Sequence, residues 1–136
     1  MSVHQAVAVT AAGGFGVVVA FQVALALGAP WGAAAWGGTT HGPLPANLRI
    51  ASAVAGTVWA VAAVIVLRRA GCHVVALPTG LAWWGTWILV GVLAVGAVMN
   101  LASASPWERY GWGPFTLVLA GLCLVVARMP ATTSPG

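Results

Sequence analysis

The chain has 136 residues, of which 61% are hydrophobic and 4% are charged, and its mean hydropathy is +1.00. This composition excludes a water-soluble globular domain, because a surface that faces water needs many more ionic side chains. The formal net charge of +4 comes from five arginines and one glutamate, and the arginines are too scattered to form a nucleic-acid surface. The sequence therefore predicts an all-α integral membrane protein whose first partner is the lipid bilayer.

Four apolar stretches are each long enough to cross the ~30 Å hydrocarbon layer as a helix. They predict spans at about 6–28, 49–67, 81–99 and 110–127, which together form one up-down bundle over residues 1–136. Transmembrane β-strands would alternate in polarity, and these stretches do not. The first stretch is too long for a signal peptide and follows five residues without a basic side chain, which favours an uncleaved helix.

The connection between the first two spans, residues 29–48, is rich in Gly, Pro and Trp. Glycine and proline at this density specify turns and not a helix. The loop carries no charge before Arg49, and much of its content is apolar. We therefore expect it to fold back onto the end of the bundle.

A Pro-Trp-x4-Trp-Gly box occurs twice, at 30–37 and at 106–113, each time where an apolar run ends. An indole combines an apolar body with one N–H donor, and such side chains are enriched at membrane–water interfaces. The boxes therefore predict two anchors on one face of the membrane. They also raise the hypothesis of a parallel two-helix repeat about an axis along the membrane normal.

The start of the fourth helix has two interpretations. Ser105, Pro106 and Glu108 match a capping box, with the helix beginning near Pro106 and kinked at Pro114. Alternatively, residues 106–110 form a short interfacial turn and the span begins at Pro114. The sequence leaves both open.

The arginines predict the orientation of the bundle. Arg68, Arg69 and Arg128 lie on the same side as both termini, whereas Arg49 and Arg109 lie on the opposite side. The positive-inside rule then places both termini in the cytoplasm and both Trp boxes on the outer, extracytoplasmic side of the inner (plasma) membrane.

Polar and aromatic side chains gather near the outer ends of the predicted spans. Polar groups inside a membrane are costly unless paired, so we expect these groups to converge. They would form either a pocket for a polar or amphiphilic ligand, or a structural network in which Arg49 bonds Glu108; we favour the network, since nothing in the group is specific to a reaction. The candidate ligand-binding residues are Gln22, Trp31, Arg49, Asn100, Trp107, Glu108 and Arg109.

Catalytic and metal chemistry have no clear pattern in the sequence. Cys72 and Cys123 form no Cys-x-x-Cys motif, and the three histidines lie at span ends on opposite sides. A Cys72-His73 pair with His4 is weak support for a metal site. No acidic residue lies inside a predicted span, which disfavours a proton-coupled cycle like that of small multidrug transporters. We therefore expect no catalytic residue, no metal and no cofactor.

Segments 24–38, 44–49 and 100–109 together resemble a family of small four-span bacterial membrane proteins of the actinobacterial type. Ala-Pro-Trp-Gly at 29–32 and Ser-Pro-Trp-Glu-Arg at 105–109 are its most specific parts. The resemblance implies that the boxes, Arg49 and the Glu-Arg pair belong to the family pattern, and it brings no established activity, cofactor or substrate.

We therefore expect a non-enzymatic accessory or partner-binding bundle, associated with another membrane protein or with further copies of itself. The alternative is a carrier or pore for a small solute or amphiphile, with an extracytoplasmic pocket of Trp, Arg and Glu.

Overall fold

A computed structural model describes residues 1–130, and within them the chain forms four long helices and no strand. This confirms the all-α, four-helix prediction for that part of the chain. Each helix is long and apolar enough to cross a membrane, the fourth when it is taken together with the π-helix before it, over Glu108–Ala127. The helices are α1 (Val3–Ala26), α2 (Ala46–Arg69), α3 (Thr79–Leu101) and α4 (Gly113–Ala127), and the π-helix Glu108–Trp112 leads directly into α4.

The ends of α1 and α2 are set by glycines with left-handed backbone. α1 ends at Ala26, two residues before the predicted limit, because Gly28 has φ +102°. The N–H of Ala29 then donates to the carbonyl of Ala24 at 2.9 Å. Gly71, with φ +85°, ends α2 in the same way. These bonds satisfy carbonyls that the end of a helix would otherwise leave without a donor.

The helices pack as two hairpins placed side by side. α1 packs most extensively on α2, and α3 on α4, whereas the α2–α3 and α1–α4 contacts are smaller. We call the end with the connections 27–45 and 102–107 the loop end, and the opposite end the terminal end. The largest buried cluster reaches from the terminal end to mid-bundle; its bulkiest members are Phe15, Val66, Leu89, Leu93, Leu119 and Val126.

Two arginines bind main-chain carbonyls at helix ends. The Arg49 Nε–H donates to the Ala26 carbonyl at 2.9 Å. Arg69 is buried, and its Nη2 donates to the carbonyls of Ala127 at 3.2 Å and Met129 at 2.5 Å. A cation at the carbonyl end of a helix is favoured by the helix dipole as well as by these bonds. Both side chains therefore stabilise helix ends.

The fourth helix begins near Pro106, as the first interpretation of its sequence predicts. Residues 106–107 are helical, and the π-helix Glu108–Trp112 follows without a break. The Gly113 N–H donates to the carbonyl of Glu108, five residues back. Pro114 has no N–H and would clash with a carbonyl in a regular α-helix, and the wider π turn directly before it accommodates this defect.

Candidate functional site

The connection 27–45 folds against the loop end of the bundle, and we call it the lid. It contains two short turns of 3-10 helix, Gly32–Ala34 and Trp36–Gly38. The N–H of Gly32 donates to the carbonyl of Gly42 at 2.9 Å, which closes the lid on itself. Leu44 of the lid is buried in a small apolar cluster with Leu25 of α1. The lid is therefore a packed element of the fold.

Trp36 has an unusual backbone conformation at the centre of the lid. Its φ is +52°, and it is the one non-glycine residue between 1 and 130 with a positive φ. A left-handed conformation costs an L-residue roughly 1–2 kcal/mol. The indole Nε1–H donates to the Ser52 hydroxyl of α2 at 3.0 Å, which helps to hold the residue there. Strain of this kind persists only where the surrounding contacts require it.

Glu108 joins the lid to the fourth helix. Its carboxylate accepts a hydrogen bond from the Gly37 N–H at 3.0 Å and another from the Ser103 hydroxyl. The Ser105 hydroxyl donates to the Ala33 carbonyl at 2.7 Å and accepts from the Glu108 N–H at 3.4 Å. Ser105 therefore caps the helix as predicted, but the Glu108 carboxylate completes no capping box. It binds the lid instead, and only 7% of the residue is exposed.

A cavity of about 920 Å³ lies beneath the lid. Small-molecule sites in proteins have volumes of about 300–1,000 Å³, so this one is at the upper end. Phe15 and Gln22 both line it and are seven residues apart on α1, which corresponds to about 10 Å of helix rise. The cavity therefore reaches from the loop end to the middle of the bundle.

Five aromatic side chains line the cavity and account for much of its apolar wall. Phe15 and Trp59 stack with ring centroids 5.8 Å apart and an interplanar angle of 15°. Nearer the loop end, Phe21 and Trp112 meet at 4.7 Å with their rings tilted by 50°. Trp36 is the fifth. Aromatic rings thus surround the cavity at two depths.

The polar groups of the cavity lie towards the loop end. They belong to Gln22, Asn100, Ser103 and Glu108, with Thr116 close by. The Asn100 side-chain amide donates to the Thr116 hydroxyl at 3.3 Å. The Gln22 side-chain oxygen is buried and has no hydrogen-bond partner among the described residues. The cavity is therefore amphipathic, with polar groups at one end and apolar walls below.

One flank of the cavity is open. Three residues of α3 that line it are also well exposed: Val92 by 48%, Val95 by 61% and Met99 by 67%. α2 contributes only Trp59 to the lining. Nearer the terminal end, α2 closes against α3, where Ile65 lies directly over Gly85. The cavity is therefore accessible from the side of the bundle along α3.

The structure brings together three of the seven side chains that the sequence nominates. Gln22, Asn100 and Glu108 line the cavity. The other four lie outside its lining and are exposed, namely Trp31, Arg49, Trp107 and Arg109. The prediction that Arg49 bonds Glu108 is wrong. The Arg49 Nε–H donates to a main-chain carbonyl, and the Glu108 carboxylate accepts from the lid.

None of the five aromatic residues in the cavity lining is among the seven side chains that the sequence nominates. The second Trp of each box, Trp36 or Trp112, lines the cavity and the first does not, although Trp36 is also 42% exposed. The spacing offered no signal for this, because the first box lies in the irregular lid and the second runs into a π-helix. Phe15, Phe21 and Trp59 had no distinguishing signal among the many apolar residues around them.

No group of three or more His, Cys, Asp or Glu side chains able to hold a metal occurs among residues 1–130. Comparisons of the chain with protein-family models, with curated proteins and with solved structures find no match. What the cavity binds must therefore be inferred from its own shape and chemistry.

Proposed function

We propose that this protein is a non-enzymatic membrane bundle that binds one amphiphilic molecule taken from the surrounding bilayer. The observation that carries this proposal is the side-open cavity of about 920 Å³, which has apolar walls and polar groups at one end. An amphiphile fits this division, because its tail would pack on the aromatic walls while its head reaches the polar groups near Glu108. Transfer along an open flank keeps the tail out of water throughout, so entry costs little hydrophobic free energy.

We further propose that the lid and the cavity face the outer leaflet of a bacterial plasma membrane, with both termini in the cytoplasm. The arginine distribution supports this orientation through the positive-inside rule. The cavity extends about 10 Å along α1, which is roughly a third of the ~30 Å hydrocarbon core. Its depth therefore matches a ligand that resides in a single leaflet.

The same open flank supports a second candidate, the accessory bundle. The loop-end half of α3 presents exposed apolar side chains beside a cavity that α2 does not cover. A helix of a partner protein, or of a second copy of this chain, would cover that flank. In this case the cavity would be filled by protein side chains and no amphiphile would be required.

The experiment that separates these candidates is a filled-cavity variant. Gly91 lines the cavity, and a Cβ added there meets no atom within 4 Å, so Gly91→Phe inserts a ring without a backbone conflict. Gly121 on α4 also has open space around it and lies outside the cavity lining, so Gly121→Phe is the matched control. Both proteins are reconstituted in nanodiscs of a zwitterionic lipid. Binding of dodecanol brominated at its tail end is followed by quenching of tryptophan fluorescence.

Saturable quenching in the wild type and in Gly121→Phe, with its loss in Gly91→Phe, is the result expected for an amphiphile site. Native mass spectrometry of the same samples reports any partner or second copy. A stable stoichiometric protein complex with no saturable quenching would reject amphiphile binding and establish the accessory role instead.

A further inference from the structure

We infer that the ligand of this cavity carries a positive charge, so that the site selects an organic cation with an apolar body. The inference rests on the proposed amphiphile site and adds the class of molecule that it prefers. Glu108 is the one acidic residue of the chain, and it lines the cavity.

Within residues 1–130, no basic side chain lines the cavity together with Glu108. Arg49 donates to a carbonyl at the end of α1, and Arg69 donates to carbonyls at the end of α4. Arg109 and Arg128 are exposed and outside the lining. The cavity therefore contains a buried carboxylate without a counter-charge, and an isolated buried charge is costly until a cation compensates it.

Hydrogen bonds use only part of the capacity of this carboxylate. An ionised carboxylate has about four lone-pair positions, and Glu108 accepts one hydrogen bond from Gly37 and one from Ser103. The buried side-chain oxygen of Gln22 is a second acceptor in the same lining, and it lacks a donor among residues 1–130. Two acceptors with unused capacity favour a ligand that brings positive charge or N–H donors.

The aromatic walls favour the same class of ligand. The face of an aromatic ring carries negative potential and attracts ammonium groups within about 6 Å of its centroid, most strongly for tryptophan. Phe15, Phe21, Trp36, Trp59 and Trp112 all contribute to the lining. A neutral lipid tail would pack equally well on leucine or valine, whereas a cation at the polar end gains specifically from the ring faces of Trp36 and Trp112, which lie at the same end as Glu108.

The test compares two probes with the same chain, dodecyltrimethylammonium and dodecanol, each brominated at the tail end and used below micelle formation. The variant Glu108→Gln removes the charge but keeps the size of the side chain. We expect it to weaken cation binding by about tenfold or more, as close charge pairs in interfaces do, and to leave dodecanol binding within about twofold. The control Thr57→Ala removes a side-chain hydrogen bond on an exposed face of α2, outside the cavity lining, and keeps the Glu108 charge, so it should retain cation binding.

A second variant covers the case in which Glu108→Gln does not fold. Trp112→Leu retains an apolar side chain and removes a ring face at the end of the cavity where Glu108 lies, so it should weaken cation binding severalfold more than alcohol binding. Equal effects on both probes in Glu108→Gln, or in Trp112→Leu where the first variant is lost, would overturn the preference for cations while leaving the amphiphile site in place. Binding of neither probe by the wild type would instead overturn the proposed function itself.

Discussion

Two neighbouring glycines of the lid allow the packing between the lid and the 102–107 connection to be tested with one methyl group. Gly37 and Gly38 both have left-handed backbone, with φ +86° and +72°. A Cβ added to Gly37 meets no atom within 4 Å. A Cβ added to Gly38 would lie 2.6 Å from the Cβ of Ser105 and 2.8 Å from the carbonyl oxygen of Ala33. The two alanine variants therefore share the conformational strain and differ in the steric conflict.

The expected losses follow from these distances. Gly37→Ala adds strain of roughly 1–2 kcal/mol and recovers about 0.4–1 kcal/mol from the less flexible unfolded chain, so its net cost is about 1 kcal/mol. Gly38→Ala adds overpacking of about 1–3 kcal/mol. It also separates Ser105 from Ala33, whose hydrogen bond contributes about 0.5–1.5 kcal/mol. Together with the strain that it shares with Gly37→Ala, we expect a total loss of about 2.5–5.5 kcal/mol for Gly38→Ala.

The assay is equilibrium unfolding of both variants in the same detergent, followed by far-ultraviolet circular dichroism and by tryptophan fluorescence. Gly38→Ala should unfold well before Gly37→Ala. If the two variants lose the same stability, the close approach of Gly38 to Ser105 does not exist in the folded protein. In that case the hydrogen bonds that fasten the lid to the fourth helix would also be in doubt.

Three further predictions follow from the same contacts. Arg69→Ala should lower the free energy of unfolding by about 2–3 kcal/mol, because it removes charged hydrogen bonds to two carbonyls at the end of α4. Arg128→Ala, at an exposed position, should change this free energy by less than about 0.5 kcal/mol. Chemical unfolding measures both variants, and equal effects would contradict a capping role for Arg69. A cysteine introduced at the exposed lid residue Thr39 should react with a membrane-impermeant maleimide in intact cells, while the native Cys72 should react only after lysis, and the opposite pattern would reverse the proposed orientation. Glu108→Gln should fold with an unfolding free energy equal to or above that of the wild type, since glutamine can accept from the Gly37 N–H and donate to the Ser103 hydroxyl without a buried charge; a clear loss of stability would show that the charge itself stabilises the fold.

The four helices could be predicted from the sequence because their signal is local. An apolar run of about 20 residues specifies a membrane-crossing helix almost regardless of its neighbours. The capping signal of Ser105 and Pro106 indicated one of the two possible starts of the fourth helix, but the sequence did not decide between them. The π turn before Pro114 could not be predicted, because a proline defect has several local solutions and the choice among them depends on tertiary contacts.

The path of the lid could not be predicted, because its decisive contacts are distant in sequence. Gly37 and Glu108 are 71 residues apart, and their hydrogen bond depends on how the two hairpins align. Charge complementarity alone suggested that Glu108 would bind Arg49, yet Arg49 finds an acceptor at the end of its own hairpin. A helix end offers carbonyls without donors at a fixed place, which can outcompete a distant carboxylate.

A structural role alone does not account for the negative charge of Glu108, the single acidic residue of the chain. If Glu108 served only to fasten the lid, glutamine would accept from the Gly37 N–H and donate to the Ser103 hydroxyl without the desolvation cost of a buried charge. The acid is placed where that cost is high, in a cavity lined by aromatic rings and with no basic side chain in its lining. Proteins commonly hold such unfavourable groups at functional sites, where stability is exchanged for binding or catalysis. We therefore propose that Glu108 is one half of an ion pair whose other half is the cationic ligand proposed above.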